Sequence, residues 1–279
     1  ESRIGKGVGY CFYKERGNAM ILRRLSQSLK TQNWTAIWIE FILLVAGVFL
    51  GIQVANWNED RTTEKQAKLF TERLRADLYI EAWAYEFQIQ YYSEVLKNAE
   101  KTLAILEGEE NASHEQLLIS AYRATQYNLQ TRRRSSYDEM TSTGKISLIT
   151  DPALRDAATL IYTNPVLENF KNEVIGQRYR EEFRMRVPLK VQSVLGENCG
   201  DRFVAVGNFE QIKGSLDYPC VTGLDQQLID KATNILYTDS SIIPFLRLRI
   251  TDVRTILANL TITNKDSRDS LKLVLGEKP

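Results

Sequence analysis

The apolar and polar positions divide the chain into one long unbroken apolar stretch followed by helical stretches separated by short polar breaks. The apolar stretch is Trp34-Thr-Ala-Ile-Trp-Ile-Glu40-Phe-Ile-Leu-Leu-Val-Ala-Gly47-Val-Phe-Leu-Gly51-Ile-Gln-Val-Ala55-Asn-Trp57, and no charge interrupts it between Phe41 and Ile52. Its 24 residues would reach about 36 Å as a helix, enough to cross a hydrocarbon core of about 30 Å with some tilt. The pattern therefore predicts a transmembrane helix over 34–57. Trp34, Trp38 and Trp57 stand near its ends, where indole rings favour the membrane interface. Glu40 and Gln53 would suit a buried helix of a soluble protein, but both lie near the ends, within snorkelling reach of the headgroups.

Beyond Asn56-Trp57-Asn58 the apolar residues Leu69, Leu74, Leu78, Trp83, Phe87, Tyr91, Leu96, Leu103 and Leu106 recur mostly at helical spacing. No breaker precedes Gly108, so this helix is expected to run to Glu107 without a break from the span, projecting roughly 70 Å. Aromatics at 79, 83, 85, 87, 91 and 92 are expected in the core rather than in a ligand groove. Ser113 with Gln116 forms a capping box for a second helix, expected to end near Arg132-Arg133-Arg134, where a helix dipole favours cations. Ser135 to Gly144 reads as a short helix with a glycine stop, and Asp151-Pro152 as an N-cap and first-turn proline of another. Asn164-Pro165 interrupts that helix, which resumes to Pro188 or beyond. Arg178/Glu182 and Glu182/Arg186 mark a solvated face. Periodicity is lost over 196–223, and helices return over 222–237 and from Pro244 to about Leu275, with a break near Thr263-Asn264-Lys265. The fold class is all-α: a cytoplasmic N-terminal segment 1–33, the span 34–57, and an extramembrane helical domain 58–279.

The formal charge of the 279-residue chain is +1, but it is uneven. Residues 1–34 hold seven Lys/Arg against two Glu. Apolar residues at 21, 22, 25 and 29 suggest a basic amphipathic helix on the inner leaflet, with Met20 a plausible natural start and Cys11 without a role. Five Lys/Arg flank the span within twenty residues on each side, so the positive-inside rule does not choose an orientation. A short basic leader before a single apolar helix nevertheless behaves as a signal anchor, which places the N-terminus in the cytoplasm and the domain in the periplasm. No region is basic enough to make nucleic acid a partner. Cys199 and Cys220 would close a loop worth about 3 kcal/mol in an oxidising compartment, against free thiols or a metal pair; the lack of a neighbouring His or Cys argues against metal.

Within the span, Gly47 and Gly51, extended by Ala55, make a face flat enough for close helix approach, and Glu40 falls on nearly the same face. That spacing predicts a homo-oligomer. The chain has one histidine, His114, and neither a nucleophile elbow, a phosphate loop nor metal-ligand spacing, so no catalytic residue, cofactor or metal is expected.

Glu40, Gly47, Gln53 and Asn56-Trp57-Asn58-Glu59, then Leu74, Asp77 and Leu78, resemble the opening of an uncharacterised bacterial single-span membrane-protein family, a domain of unknown function. Tyr137, Met140, Gly144, Leu148-Ile149 and Leu154-Arg155 resemble its internal signature, so the likeness covers residues 34–160. The chain departs at Ile39, where members often carry Gly. The resemblance implies a membrane-anchored helical protein and no activity. The expectation is a non-enzymatic envelope protein of the inner membrane: a self-associating anchor in the lipid bilayer that presents a partner-binding or sensing domain. The alternatives are an accessory subunit of a transport or proton-driven complex that uses Glu40, and, more weakly, an envelope hydrolase.

Overall fold

The computed structural model describes residues 34–164 and 178–276. The segment 1–33, with Cys11 and the expected basic helix, falls outside the described residues, as does the stretch after Asn164 in which a helix was expected to resume. The described chain is all-α, without a strand. Its helices are α1 (Trp34–Leu106), α2 (His114–Ala124), α3 (Ser135–Ser142), α4 (Pro152–Thr163), α5 (Arg178–Arg186), α6 (Leu189–Cys199), α7 (Gln226–Thr238), α8 (Ile242–Ala258) and α9 (Lys265–Leu275). Two compact units divide the chain, residues 1–64 and residues 65–279, and α1 contributes to both.

The larger unit is built on residues 65–106 of α1. Phe70, Leu74, Leu78, Ala82, Tyr85, Ile89, Tyr92, Val95 and Ala99 follow one another at three- and four-residue steps and are all buried. Trp83, Phe87 and Tyr91 add a second buried row, their rings at centroid distances of 5.2 and 5.7 Å. A helix buried on two rows is enclosed by its neighbours rather than laid on a surface. One apolar cluster joins it to α3, α4, the end of α8 and α9; a second joins Ala99 and Ile105 to α2, α5, α6, α7 and α8. Of the six aromatics expected in the core, Tyr79 is exposed and the other five are buried. Leu69 also departs from expectation: it is exposed and Phe70 takes the core position, which sets the buried row one residue later at this end.

Local signals fix most of the ends. Ser113 and Gln116 form the expected capping box of α2, and the Asp151 side chain accepts from the Leu154 N–H at 3.2 Å with Pro152 in the first turn of α4. Gly144 ends α3 at φ 69°, where an L side chain would be strained. The break after α8 is a π turn, Asn259–Thr263, bridged by the Asn264 side chain donating to the Asn259 carbonyl at 2.8 Å. Three boundaries differ from the sequence reading. The helix expected to reach Arg132-Arg133-Arg134 stops at Ala124, because arginines from other helices take its last carbonyls. The irregular segment starts after Cys199 rather than at Gly196, and Gly200 is held there because a Cβ would collide with the Gly196 carbonyl. Helix α7 begins after Asp225, whose side chain caps the Leu228 N–H at 2.9 Å.

The shifted register is directly testable. Leu74→Ala empties a fully buried position and should cost about 2–5 kcal/mol, whereas Leu69→Ala, on the exposed side, should change stability by less than about 0.5 kcal/mol. Denaturant unfolding followed by near-ultraviolet circular dichroism checks both.

Candidate functional site

In the unit 1–64, the large apolar side chains from Ile39 to Val54 are all exposed. The helix is long and apolar enough to cross a membrane, and no part of its most apolar window is buried by the protein. Trp34, Trp38 and Trp57 are exposed at the two ends, Trp38 edge-on to Phe41 at 6.1 Å and Trp57 beneath the Arg61 guanidinium at 4.9 Å. A Cβ added at Gly47 or Gly51 meets nothing within 4 Å, and Ala55 is exposed beyond them. Glu40 is exposed, and its carboxylate has no hydrogen bond or ion pair among the described residues.

In the unit 65–279, the polar centre lies at the C-terminal end of α2. Arg249, 4% exposed, donates from Nε to the Ala124 carbonyl at 3.1 Å and from Nη2 to the Gln126 carbonyl at 2.7 Å. Arg180 Nη1 donates to the Thr125 carbonyl at 2.9 Å, and the Tyr179 hydroxyl to the Ala121 carbonyl at 3.1 Å. None of Arg123, Arg180 and Arg249 forms an ion pair with a carboxylate among the described residues. For Arg180 and Arg249 the partial negative charge of the α2 end serves instead, and burial pushes the pKa of both down. This centre was missed in the sequence because its cations come from helices far apart in the chain.

The centre is stapled to the irregular segment. Arg123 donates to the Cys199 carbonyl at 3.2 Å and to the Tyr218 carbonyl at 2.9 Å. Cys199 and Cys220 are joined as a disulfide with their Cα atoms 5.5 Å apart. The Tyr218 ring has the Arg123 guanidinium at 4.5 Å and that of Arg202 at 3.5 Å, and its hydroxyl donates to the Gly200 carbonyl. Asp201, an exposed residue, receives the Tyr91 hydroxyl at 2.9 Å on both carboxylate oxygens. Crowding by protein around that carboxylate raises its pKa despite the hydrogen bond from Tyr91, and burial, then Asp201 itself, raises that of Tyr91.

The arginine triplet serves a different purpose from a helix end. Glu81, buried within α1, accepts from Arg132 Nε at 3.0 Å and from the Arg133 N–H at 2.6 Å, while Arg132 Nη2 reaches the Ile161 carbonyl at 2.9 Å. A carboxylate placed in a core requires a counterion and further donors, and this strand of backbone supplies them. Arg134 Nε donates to both Asp138 oxygens, at 3.1 and 2.9 Å. The recess alongside, about 740 Å³, thus has Arg132 and Arg134 paired, while the Arg133 side chain has no ion pair among the described residues. The face expected to be solvated on α5 is half-buried at Glu182 and Arg186, which pair, with Arg186 Nε also on Asp239 at 2.6 Å. Tyr179 and Phe183 on that helix are buried.

His114 is exposed, and its Nδ1 meets Asp230 Oδ1 at 2.6 Å. Among the described residues no serine, threonine or cysteine is hydrogen-bonded to its Nε2, and no group of three His, Cys, Asp or Glu is placed to hold a metal ion.

The raised Asp201 pKa has a consequence for stability. The carboxylate ionises near its ordinary value of 3.8 in the unfolded chain but only at higher pH in the fold, so the fold binds more protons above that pH and stability falls as pH rises between the two values. Asp201→Asn keeps an acceptor for Tyr91 and should flatten that decline, which melting temperatures measured across the interval from pH 4 upward will show.

Two comparisons leave the chain by itself: no curated protein and no solved structure matches it. The third does not, for a model of the family of unknown function DUF6090 matches residues 40–182. The match begins at Glu40 in the apolar stretch, runs through α1 to α4 and ends within α5, leaving the disulfide segment outside it. With half of its length matched, the chain belongs to the family of unknown function DUF6090.

Proposed function

We propose that the protein is a non-enzymatic, single-span envelope protein, self-associating through its membrane helix, whose helical domain lies in the periplasm and binds a partner or ligand there. The observation that carries the reading is the apolar window of α1, none of which is covered by the protein, in a helix that goes on to form the core of a packed domain. The Cys199–Cys220 disulfide supports the placement, since such bonds persist outside the reducing cytoplasm. With the domain exported, the basic segment before Trp34 stays inside, as a signal anchor requires.

Self-association is proposed on the face of Gly47, Gly51 and Ala55. Among the described residues a Cβ at Gly51 meets nothing within 4 Å, so a loss of crosslinking on enlarging it would report on a contact with another helix. Among the described residues the Glu40 carboxylate has no partner, which favours a second reading, an accessory subunit whose neighbour's helix meets that carboxylate. Glu40→Gln separates the two: the anchor tolerates it, and the accessory subunit loses its complex.

Export is tested with reporters fused after residue 110. A reporter that works only when exported should be active and a cytoplasmic one silent; the reverse pattern would remove both the orientation and the compartment proposed for the disulfide. Association is tested by crosslinking in membranes, where Gly51→Ile should lower the dimer yield several-fold while membrane insertion is unchanged. Crosslinking equal to that of the parent would mean that the small-residue face makes no contact.

A further inference from the structure

The recesses of the domain differ in how their charges are satisfied. Beside the arginine triplet, Arg132 and Arg134 are occupied by Glu81 and Asp138, which leaves Arg133 the one lining cation there without an ion pair among the described residues. A smaller recess of about 290 Å³ lies where α1 passes the 3-10 turn Ile212–Ser215 and α9. Its apolar lining comes from Phe209, Ile212, Leu271 and Leu275. Among the described residues the one carboxylate lining it, Glu86, is taken by Arg268, Nε to Oε1 at 2.7 Å and Nη2 to Oε2 at 3.1 Å. That fork consumes the acidic side chain and leaves two further cations in the lining, Lys213 and Lys272, without a direct ion pair among the described residues, Lys272 feeling Asp269 only at longer range.

Neither the Lys213 nor the Lys272 ammonium has a hydrogen bond or ion pair among the described residues, and the Gln90 amide in the same lining has none from its side chain. Asp269, the nearest acidic neighbour of Lys272 on α9, is held by Lys265. Unpaired lysines on an open surface are ordinarily just solvated. Here they border a concave apolar floor, and that combination asks for a ligand with a charge at one end and a hydrophobic body at the other. The volume stands at the lower end of the range of roughly 300–1,000 Å³ typical of small-molecule sites, too small for a lipid with two acyl chains. The apolar lining disfavours an inorganic anion, which has nothing to place against it.

We propose that this groove binds a small amphipathic monoanion, a carboxylate bearing a ring or a short aliphatic body. The carboxylate meets Lys213 and Lys272, with Gln90 as a neutral donor, and the body lies against Phe209 and Leu271. The proposal rests on the reading of the domain as a binding module and gives that module a ligand class. The Arg268–Glu86 pair positions the groove's wall by fastening α9 to α1, so the site exists only while these two elements are packed together.

The test uses the full chain in lipid nanodiscs, with heats from empty nanodiscs subtracted, and 3-phenylpropionate as the probe. Its charge controls are 3-phenylpropanamide, which is neutral, and 3-phenylpropylamine, which is cationic. Saturable binding is expected for the carboxylate, about tenfold tighter than for either control. The double variant Lys213→Gln, Lys272→Gln should weaken it by about tenfold at an unchanged melting temperature, since neither ammonium is hydrogen-bonded or ion-paired among the described residues. Absence of saturable binding at millimolar concentration, equal binding of the amine, or an unchanged affinity in the double variant would each overturn the proposal. All three outcomes leave the anchor and its orientation untouched, which the export reporters read separately; an inverted reporter pattern would in turn leave the titration standing.

Discussion

Apolar surface that the chain itself does not cover must be covered by something else, and this constraint governs the first half of α1. Ten large apolar side chains between Phe41 and Val54 are exposed. At about 1.5–3 kcal/mol for burying each, keeping them in water forgoes roughly 15–30 kcal/mol, more than the ~5–15 kcal/mol that holds a typical domain together. A helix satisfies its own backbone hydrogen bonds, so lipid can cover these side chains without leaving a polar group unpaired. The flanking tryptophans, and Glu40 and Gln53 near the ends, fit the same solvent.

The second half of α1 meets the opposite condition. From Phe70 to Ile105 most of its apolar residues are buried by other helices, and the polar groups that come with them are satisfied individually. Trp83 Nε1 donates to the Asn208 carbonyl at 3.0 Å, and the Tyr85 and Tyr92 hydroxyls to the Leu260 and Asn128 carbonyls at 2.7 and 3.0 Å. Large aromatic bodies thus fill the core while their polar tips fasten loops to it. The buried arginines work in the same way at the end of α2: each fixes backbone carbonyls that would otherwise be orphaned. The disulfide then ties the irregular segment to this centre through Arg123 and Tyr218.

What could be read from the sequence was local. The apolar run, the Ser113/Gln116 box, the Asp151-Pro152 start and the Gly144 stop each rest on residues within one or two turns of one another, and the structure places all of them in the expected elements. What could not be read depended on partners distant in the chain. Arg249 lies 125 positions from the carbonyl it caps, so nothing near Ala124 announces that α2 ends there. Glu81 was the available signal for the arginine triplet, a carboxylate within an apolar helical row, yet its need for a counterion does not say which cation answers it. The groove at Lys213 and Lys272 is hidden for the same reason, since its walls meet only when α9 returns to α1.

The central claim is that α1 changes solvent along its length, from lipid to protein. Nitroxide labels at positions 43, 48 and 50, and at 60 and 64, in the full chain in bilayers test it most directly through their collision rates with oxygen, which dissolves in lipid, and with a water-soluble nickel complex, which does not. The labels at 43, 48 and 50 should be open to oxygen and shielded from nickel, and those at 60 and 64 should show the reverse. Nickel accessibility at 43, 48 and 50 equal to that at 60 and 64 would contradict the membrane span.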